Sequence, residues 1–211
     1  MEKGCVQRAV TLQICTKMAK EGTYVIPGAS SARHAHLCRK DVETLFGAGY
    51  QLTEFKALTQ PGQFAANEKI TLKGPRGELS GVRILGPERK ASQIEISITD
   101  SFKLGIKPAL RMSGHPEGSP GGTIIGPKGS VELNEGFIIS ARHVHMSDEE
   151  AAVYGLKNGD VISLKKGGER ETVFGNVVVR CGDGHSLELH IDTDEANAAM
   201  LRNGDLLEVI R

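Results

Sequence analysis

Residues 31–37 read S-A-R-H-A-H-L, and residues 140–146 read S-A-R-H-V-H-M. A single H-x-H pair is a weak signal. Two of them, set in near-identical heptads and each closing an apolar run, point to an internal duplication. In a strand, residues i and i+2 face the same way. His34 and His36 therefore present two imidazoles side by side, and so do His143 and His145. Neutral imidazole is a ligand for Zn, Cu, Fe and Ni, so each pair is the start of a metal site.

The repeat extends beyond the heptad. In each copy an apolar segment leads into S-A-R-H-x-H, a short helical stretch and several strands follow, and an alternating segment ends in Thr and Asp. That last segment is I-E-I-S-I-T-D at 94–100 and L-E-L-H-I-D-T-D at 187–194. Zinc takes three or four protein ligands, so two histidines do not complete a site. The late segments offer the third. Glu95 lies between Ile94 and Ile96, and His190 between Leu189 and Ile191. A titratable group among apolar neighbours is costly unless it is paired or bound to metal. Aligning the two segments on the isoleucine ahead of each Thr/Asp end, Ile98 with Ile191, sets His190 opposite Ser97, two residues beyond Glu95 and on the same face. One metal is then expected at His143, His145 and His190, and a second at His34, His36 and Glu95. Three ligands leave a position open for substrate, whereas a closed structural site has four. His115 and His185 lie in glycine-rich turns outside the repeat and are expected to face solvent. Cys38 follows His36 at another i+2 step, but its counterpart is Ser147, a helix cap. It reads as a substituted cap and only a minor ligand candidate.

Composition bounds the rest. The chain has 211 residues, with 26 Lys plus Arg against 26 Asp plus Glu. A balanced charge argues against nucleic acid as the partner. The four cysteines form no C-x-x-C pair, which excludes a zinc ribbon and fits a reducing compartment. No apolar run approaches the roughly 20 residues of a membrane span, and the N-terminus lacks a secretory signal. A soluble, cytoplasmic protein is expected. Twenty-six glycines and no Trp suit many short strands joined by tight turns. T-Y-V-I-P-G, K-I-T-L-K-G and G-V-R-I-L-G are such strands, while S-D-E-E-A-A-V-Y-G-L is a helix with Ser147 and Glu150 as its capping box. The fold class expected is mainly β, with two small β-barrels related by duplication and capped by short α-helices. Residues 4–20 read as an amphipathic helix, with Val6, Val10, Ile14 and Met18 on one stripe. Pattern alone favours packing on the fold over a docking role.

Lys56, Arg76, Arg83, Arg89 and Lys90 cluster in the first copy. Solvation is the default for such charges. Beside a metal site, an arginine among them could instead clamp phosphate, which guanidinium binds bidentately.

Taken together, S-A-R-H-A-H, P-G-Q-F-A-A, R-I-L-G-P, Q-I-E-I-S, L-R-M-S-G, S-A-R-H-V-H-M-S and L-H-I-D-T-D-E-A-N-A-A resemble the PduL-type phosphate propanoyltransferases, the phosphotransacylases of bacterial microcompartments. The resemblance runs from about Ile26 to the C-terminus. It implies an acyltransferase that reversibly converts a short-chain acyl-CoA, such as propanoyl-CoA, and phosphate to acyl phosphate and CoA, a chemistry of propanediol degradation. It implies two divalent ions, zinc by preference, between two barrels, on the six ligands named above, with Glu95 counted in the catalytic centre. It also implies that Arg89 is the catalytic, phosphate-binding arginine, with Gln63 as helper, and that Ser31, Lys56, Arg83, Leu85 and Asn197 contact CoA. The strand before the first S-A-R-H would be exchanged into the C-terminal barrel. The domains would then be 22–32 plus 141–211 and 33–140, after an N-terminal helix at 1–21 that stands where some members carry an encapsulation peptide. A homo-oligomer, with a dimer favoured, and microcompartment shell proteins complete the implied partners. A two-metal thioesterase and a non-catalytic barrel module are the rival readings.

Overall fold

Every polar backbone group of a strand needs a partner, so the pairing of the segments around the two heptads decides the architecture. The structure is a computed structural model that describes residue 10, residues 13–14 and residues 16–210. Most of the expected N-terminal helix lies outside these; of it, residues 16–20 are helical. Two compact units emerge. One holds residues 1–31, 59–61 and 141–211, the other residues 32–58 and 62–140.

The first unit is a closed six-strand barrel. Its strands are β1 (Val25–Ser31), β11 (His143–Met146), β12 (Val161–Lys166), β13 (Thr172–Cys181), β14 (Glu188–Asp192) and β15 (Leu206–Ile210). Their order is β1-β14-β11-β13-β12-β15, with β15 returning to β1. The core is Ile26, Val144, Leu164, Phe174, Val177, Val179, Leu189 and Leu207. The second unit holds β2 (His34–His36), β3 (Glu54–Ala57), β4 (Phe64–Lys73), β5 (Glu78–Gly86), β6 (Gln93–Glu95), β7 (Ala109–Arg111), β8 (Gly122–Ile125), β9 (Ser130–Leu133) and β10 (Phe137–Ser140). Its core gathers Ala35, Leu72, Val82, Ile84, Ile94 and Phe137.

The duplication shows in the strand order. The run β10-β6-β2-β5-β4 in the second unit repeats β1-β14-β11-β13-β12 in the first. The second unit does not close. β4 continues to β8 and β9, and β10 continues to β7, so an open path stands where a second closed barrel is expected. The cause is the insert after Leu104. Its breaker-dense loop at 113–122 ends in a β8–β9 hairpin that takes the edge of β4. The exchange is reciprocal. β1 precedes the first S-A-R-H yet pairs with β14 and β15, while β10 precedes the second and pairs with β6 and β7.

Four short helices, α1 (Arg39–Phe46), α2 (Ile98–Leu104), α3 (Asp148–Tyr154) and α4 (Thr193–Ala198), follow the histidine and late strands. Ser97, Ser147 and Asp192 each form a full capping box with the acid three residues on. Cys38 holds the N-cap of α1 with no side-chain cap bond, as a substituted cap should. Residues 94–99, read as one alternating strand, split instead. β6 stops at Glu95, and Ser97 starts α2, because a serine with an acid at N3 satisfies more backbone N–H groups than one further ladder position. K-N-G-D and R-N-G-D make the same turn twice: Asp160 and Asp205 accept from the N–H of Lys157 and Arg202 at 3.0 Å. Gly159 and Gly204 sit at φ 88° and 89°, where a side chain would be strained.

The arginine of each heptad is explained by these caps. Arg33 reaches Asp100, the N3 acid of α2, at 2.6 Å, and Arg142 pairs with Glu195, the N3 acid of α4. Arg142 also donates to the Gly175 carbonyl at 2.8 Å and lies over the Phe174 ring. Arg142→Ala should lower stability by about 1–3 kcal/mol, and Arg142→Lys, lacking the fork, should recover little of it. Urea midpoints measure both, and an unchanged midpoint for the alanine variant would reduce the pair to decoration.

Candidate metal centre

The S-A-R-H-x-H register places the histidines. On β11, Val144 and Met146 enter the core while His143 and His145 face the other way, yet they are only 4% and 6% exposed. Antiparallel pairing with β14 sets His190 directly across from His143. In the second unit, β2 pairs with β6, so Glu95 stands directly across from His34. The structural counterpart of His190 is therefore Glu95 and not Ser97. The Thr/Asp alignment slipped by two because the true landmarks are the N-caps, Ser97 and Asp192, each two residues past a ligand candidate.

The expected ligand candidates come together. The donor atoms of His143, His145 and His190 all lie within 4.8 Å of one another, and so do those of His34, His36 and Glu95. His34 Nε2 is 3.6 Å and His36 Nε2 4.0 Å from the Glu95 carboxylate oxygens. Ligands at zinc distances stand roughly 3.3–3.5 Å apart around a tetrahedron, so a small contraction suffices.

The outer contacts fit an ion as well. His34 Nδ1 donates to the Ala32 carbonyl and His143 Nδ1 to the Ala141 carbonyl, both at 2.8 Å. A carbonyl only accepts, so Nδ1 carries a proton and Nε2 is the nitrogen that the neutral ring would offer to an ion. His190 makes the converse choice. Its Nε2 donates to Glu188 at 2.8 Å, which leaves Nδ1. His145 Nδ1 is buried with no hydrogen-bond partner. Burial, with His190 and His143 alongside, holds the His145 imidazole far below its ordinary pKa. Burial, with His34 and Arg89, does the same to His36. Both rings are therefore neutral, the ligand form. Burial also opposes charge on His34, but the Glu95 carboxylate outweighs it and raises that imidazole. Glu95 in turn, against the pull of burial, is held well below the usual carboxylate range by His34.

One hydroxyl joins the Glu95 cluster to a guanidinium. Ser113 donates to Glu95 Oε1 at 2.7 Å and accepts from Arg89 Nη1 at 3.2 Å and Gln93 Nε2 at 3.0 Å. Gln93 also donates to Glu95 at 2.7 Å, and its oxygen accepts from the Gly114 N–H at 2.8 Å. Arg89 is fixed at the backbone by donating its N–H to the Leu37 carbonyl, just past the H-x-H pair.

The family model for phosphate propanoyltransferase matches residues 28–202, a stretch containing both clusters and Arg89. The chain belongs to the phosphate propanoyltransferase family. It is an acyltransferase. It is 50% identical over 187 residues to a phosphate propanoyltransferase of Thermotoga maritima, covering 88% of this chain and 89% of that one. Over 181 residues it is 50% identical to that of Rhodopseudomonas palustris, covering 86% and 80%. Over 175 residues it is 48% identical to that of Salmonella typhimurium, covering 82% and 83%.

In this phosphate propanoyltransferase family member the remaining site candidates fall in each unit. Ser31 ends β1 beside Asp192, the N-cap of α4, and Asn197 is exposed on that helix. In the second unit, Lys56, Ala65 and Leu85 form one cross-strand row. Arg83 is in register with His34 and stacks its guanidinium over Phe55, 4.6 Å from the ring centre. Gln63 is half-buried in the turn before β4. Ser113, Gln93 and Glu188 escaped the sequence reading. Glu188 could have been found, because it stands at i−2 from His190 and shares its face. Ser113 follows β7 in a loop and carried no periodic signal. His115 is exposed as expected, but His185 is not free in solvent: its ring centre lies 4.5 Å from that of His145.

Proposed function

We propose that this chain reversibly transfers a propanoyl group, or another short acyl group, between CoA and phosphate. Two divalent ions, zinc by donor chemistry, would be held by His34, His36 and Glu95 and by His143, His145 and His190. One observation carries the reading: through Ser113, the Arg89 guanidinium shares a hydrogen-bonded network with Glu95, so an anion-binding group is built onto a cation-binding cluster. Family membership supplies the acyl and phosphate partners. Bound there, the ions supply Lewis acidity toward a thioester carbonyl and a soft partner for a departing thiolate.

Arg89 holds phosphate by two N–H groups and aims one oxygen at the acyl carbon, assisted by Gln63. That oxygen forms the new bond, the carbon–sulfur bond breaks, and CoA leaves as thiolate. Ser31, Lys56, Arg83, Leu85 and Asn197 are the proposed CoA contacts, the cations pairing with its phosphates. Attack is direct; no acyl-enzyme step is assigned to Cys38, whose backbone holds the N-cap of α1. Propanoyl-CoA incubated with the chain should release CoA only when phosphate is present, with an equal yield of acyl phosphate trapped as hydroxamate. Phosphate-independent release would identify a thioesterase and overturn the proposal. Assembly as a homo-oligomer, a dimer by preference, and delivery to a microcompartment shell through residues 1–21 belong to the same reading; among the described residues no helix is long and apolar enough to cross a membrane.

Ser113→Ala is expected to act on two quantities together. Losing the shared hydroxyl removes one anchor from Arg89 and leaves Glu95 one donor short. The KM for phosphate should rise, and ion affinity at the Glu95 cluster should fall about tenfold, the lower range for an outer-shell contact. Phosphate kinetics and chelator competition on one preparation test the coupling; a change in only one of them would break it.

A further inference from the structure

His185 lies in the loop between β13 and β14, outside the ligand set. Its plane is tilted 36° from that of His145, much nearer to stacking than the 89° and 79° crossings His145 makes with His143 and His190. Its nitrogens are not among the donors that converge within 4.8 Å. Its Nδ1 is buried without a hydrogen-bond partner. The ring therefore meets His145 with its face, not its nitrogens.

The loop is held firmly for this contact. Gln60 and Ser186 are both buried and bond twice: Gln60 Nε2 donates to the Ser186 carbonyl at 3.0 Å, and the Ser186 N–H donates to Gln60 Oε1 at 3.2 Å. The His185 N–H donates to the Gly182 carbonyl at 3.2 Å.

His145 is the ligand candidate that needs such support. His143 is fixed by the Ala141 carbonyl and His190 by Glu188. His36, the counterpart of His145 in the other unit, has the Leu85 backbone beside its ring as a polar neighbour. His145 Nδ1 has no partner. A ring with no anchoring hydrogen bond can turn about its side-chain torsions, and a neighbouring flat face is the other means of holding it.

We propose that His185 is a positioning residue, whose ring face locks His145 in the orientation that binds an ion with His143 and His190. The inference rests on the reading of those three residues as a metal centre. It is tested by Zn2+ titration of the full chain against a chromogenic chelator. The wild-type chain should show two tight phases, and His143→Ala should erase one, which identifies it. His185→Ala should weaken that phase 10- to 100-fold and leave the other unchanged, a built-in control for folding. His185→Phe, which keeps a flat face and removes both nitrogens, should stay within a few-fold of wild type. Wild-type affinity in His185→Ala overturns the inference. So does a His185→Phe as weak as the alanine variant, which would mean that the nitrogens matter. If His143→Ala erases no phase, the metal-centre reading falls first and this inference falls with it.

Discussion

Arg89→Ala should reduce phosphate-dependent acyl transfer on the order of 10³-fold or more, the scale seen when a guanidinium that holds a reacting phosphoryl or oxyanion group is removed. At about 1.36 kcal/mol per decade this is about 4 kcal/mol of transition-state stabilisation. The reasoning starts from charge. Phosphate is an anion and a modest nucleophile, and without a fixed cation it reaches the acyl carbon only by chance encounter. Arg89 has its backbone pinned to Leu37 and its guanidinium on Ser113, so its position is set before substrate arrives. Bound metal should stay near wild type. Arg89 is itself a cation whose field works against charge on His34 and His36, so its loss removes a repulsion from the ion site. Arg89→Lys keeps the charge without the fork and should recover only part of the rate. The measurement is kcat and KM for phosphate with elemental analysis of the same sample. Full activity in the alanine variant would remove Arg89 from the mechanism.

The heptads made the metal ligand candidates legible because strand geometry is local. Alternation of two fixes which side chains share a face, and two copies supply the confirmation that one cannot. The caps were legible for the same reason: Ser147 and Glu150 lie three residues apart, and their capping box formed. What failed was register between distant segments. His190 was set opposite Ser97 when the ladder sets Glu95 there, an error of two residues that kept the face and lost the partner. Only the capping serine and aspartate carry the true alignment, and Ser97 reads as strand from its alternating neighbours. The exchange of β1 and β10 had no local signature at all, since an apolar strand reads alike whichever sheet receives it. The open edge of the second unit depends on an insert whose hairpin could not be assigned a neighbour from its own residues. His185 and Ser113 were missed because loops carry no period, and only the folded chain brings them to His145 and Glu95.

His143→Ala should halve the bound metal, from two ions per chain to one. His143 contributes one of three donors, and with His145 and His190 alone the cluster falls below the three protein ligands at which zinc sites hold. The other cluster draws its donors from a different unit, so its ion should remain. The fold should persist, because the barrel core is built from Val144 and Met146 on the opposite face of β11, and the ladder uses only backbone. The imidazole is buried, so its removal leaves a gap, and a loss of about 1–3 kcal/mol in stability is expected. That cost separates the outcomes. Elemental analysis giving one ion in a cooperatively unfolding variant supports His143 as a ligand. Two ions in the same variant would reject the assignment and, with it, the pairing of histidine strands as the origin of the site. Turnover should fall together with the lost ion. Added Zn2+ should not restore it, because the defect lies in the donor set and not in supply.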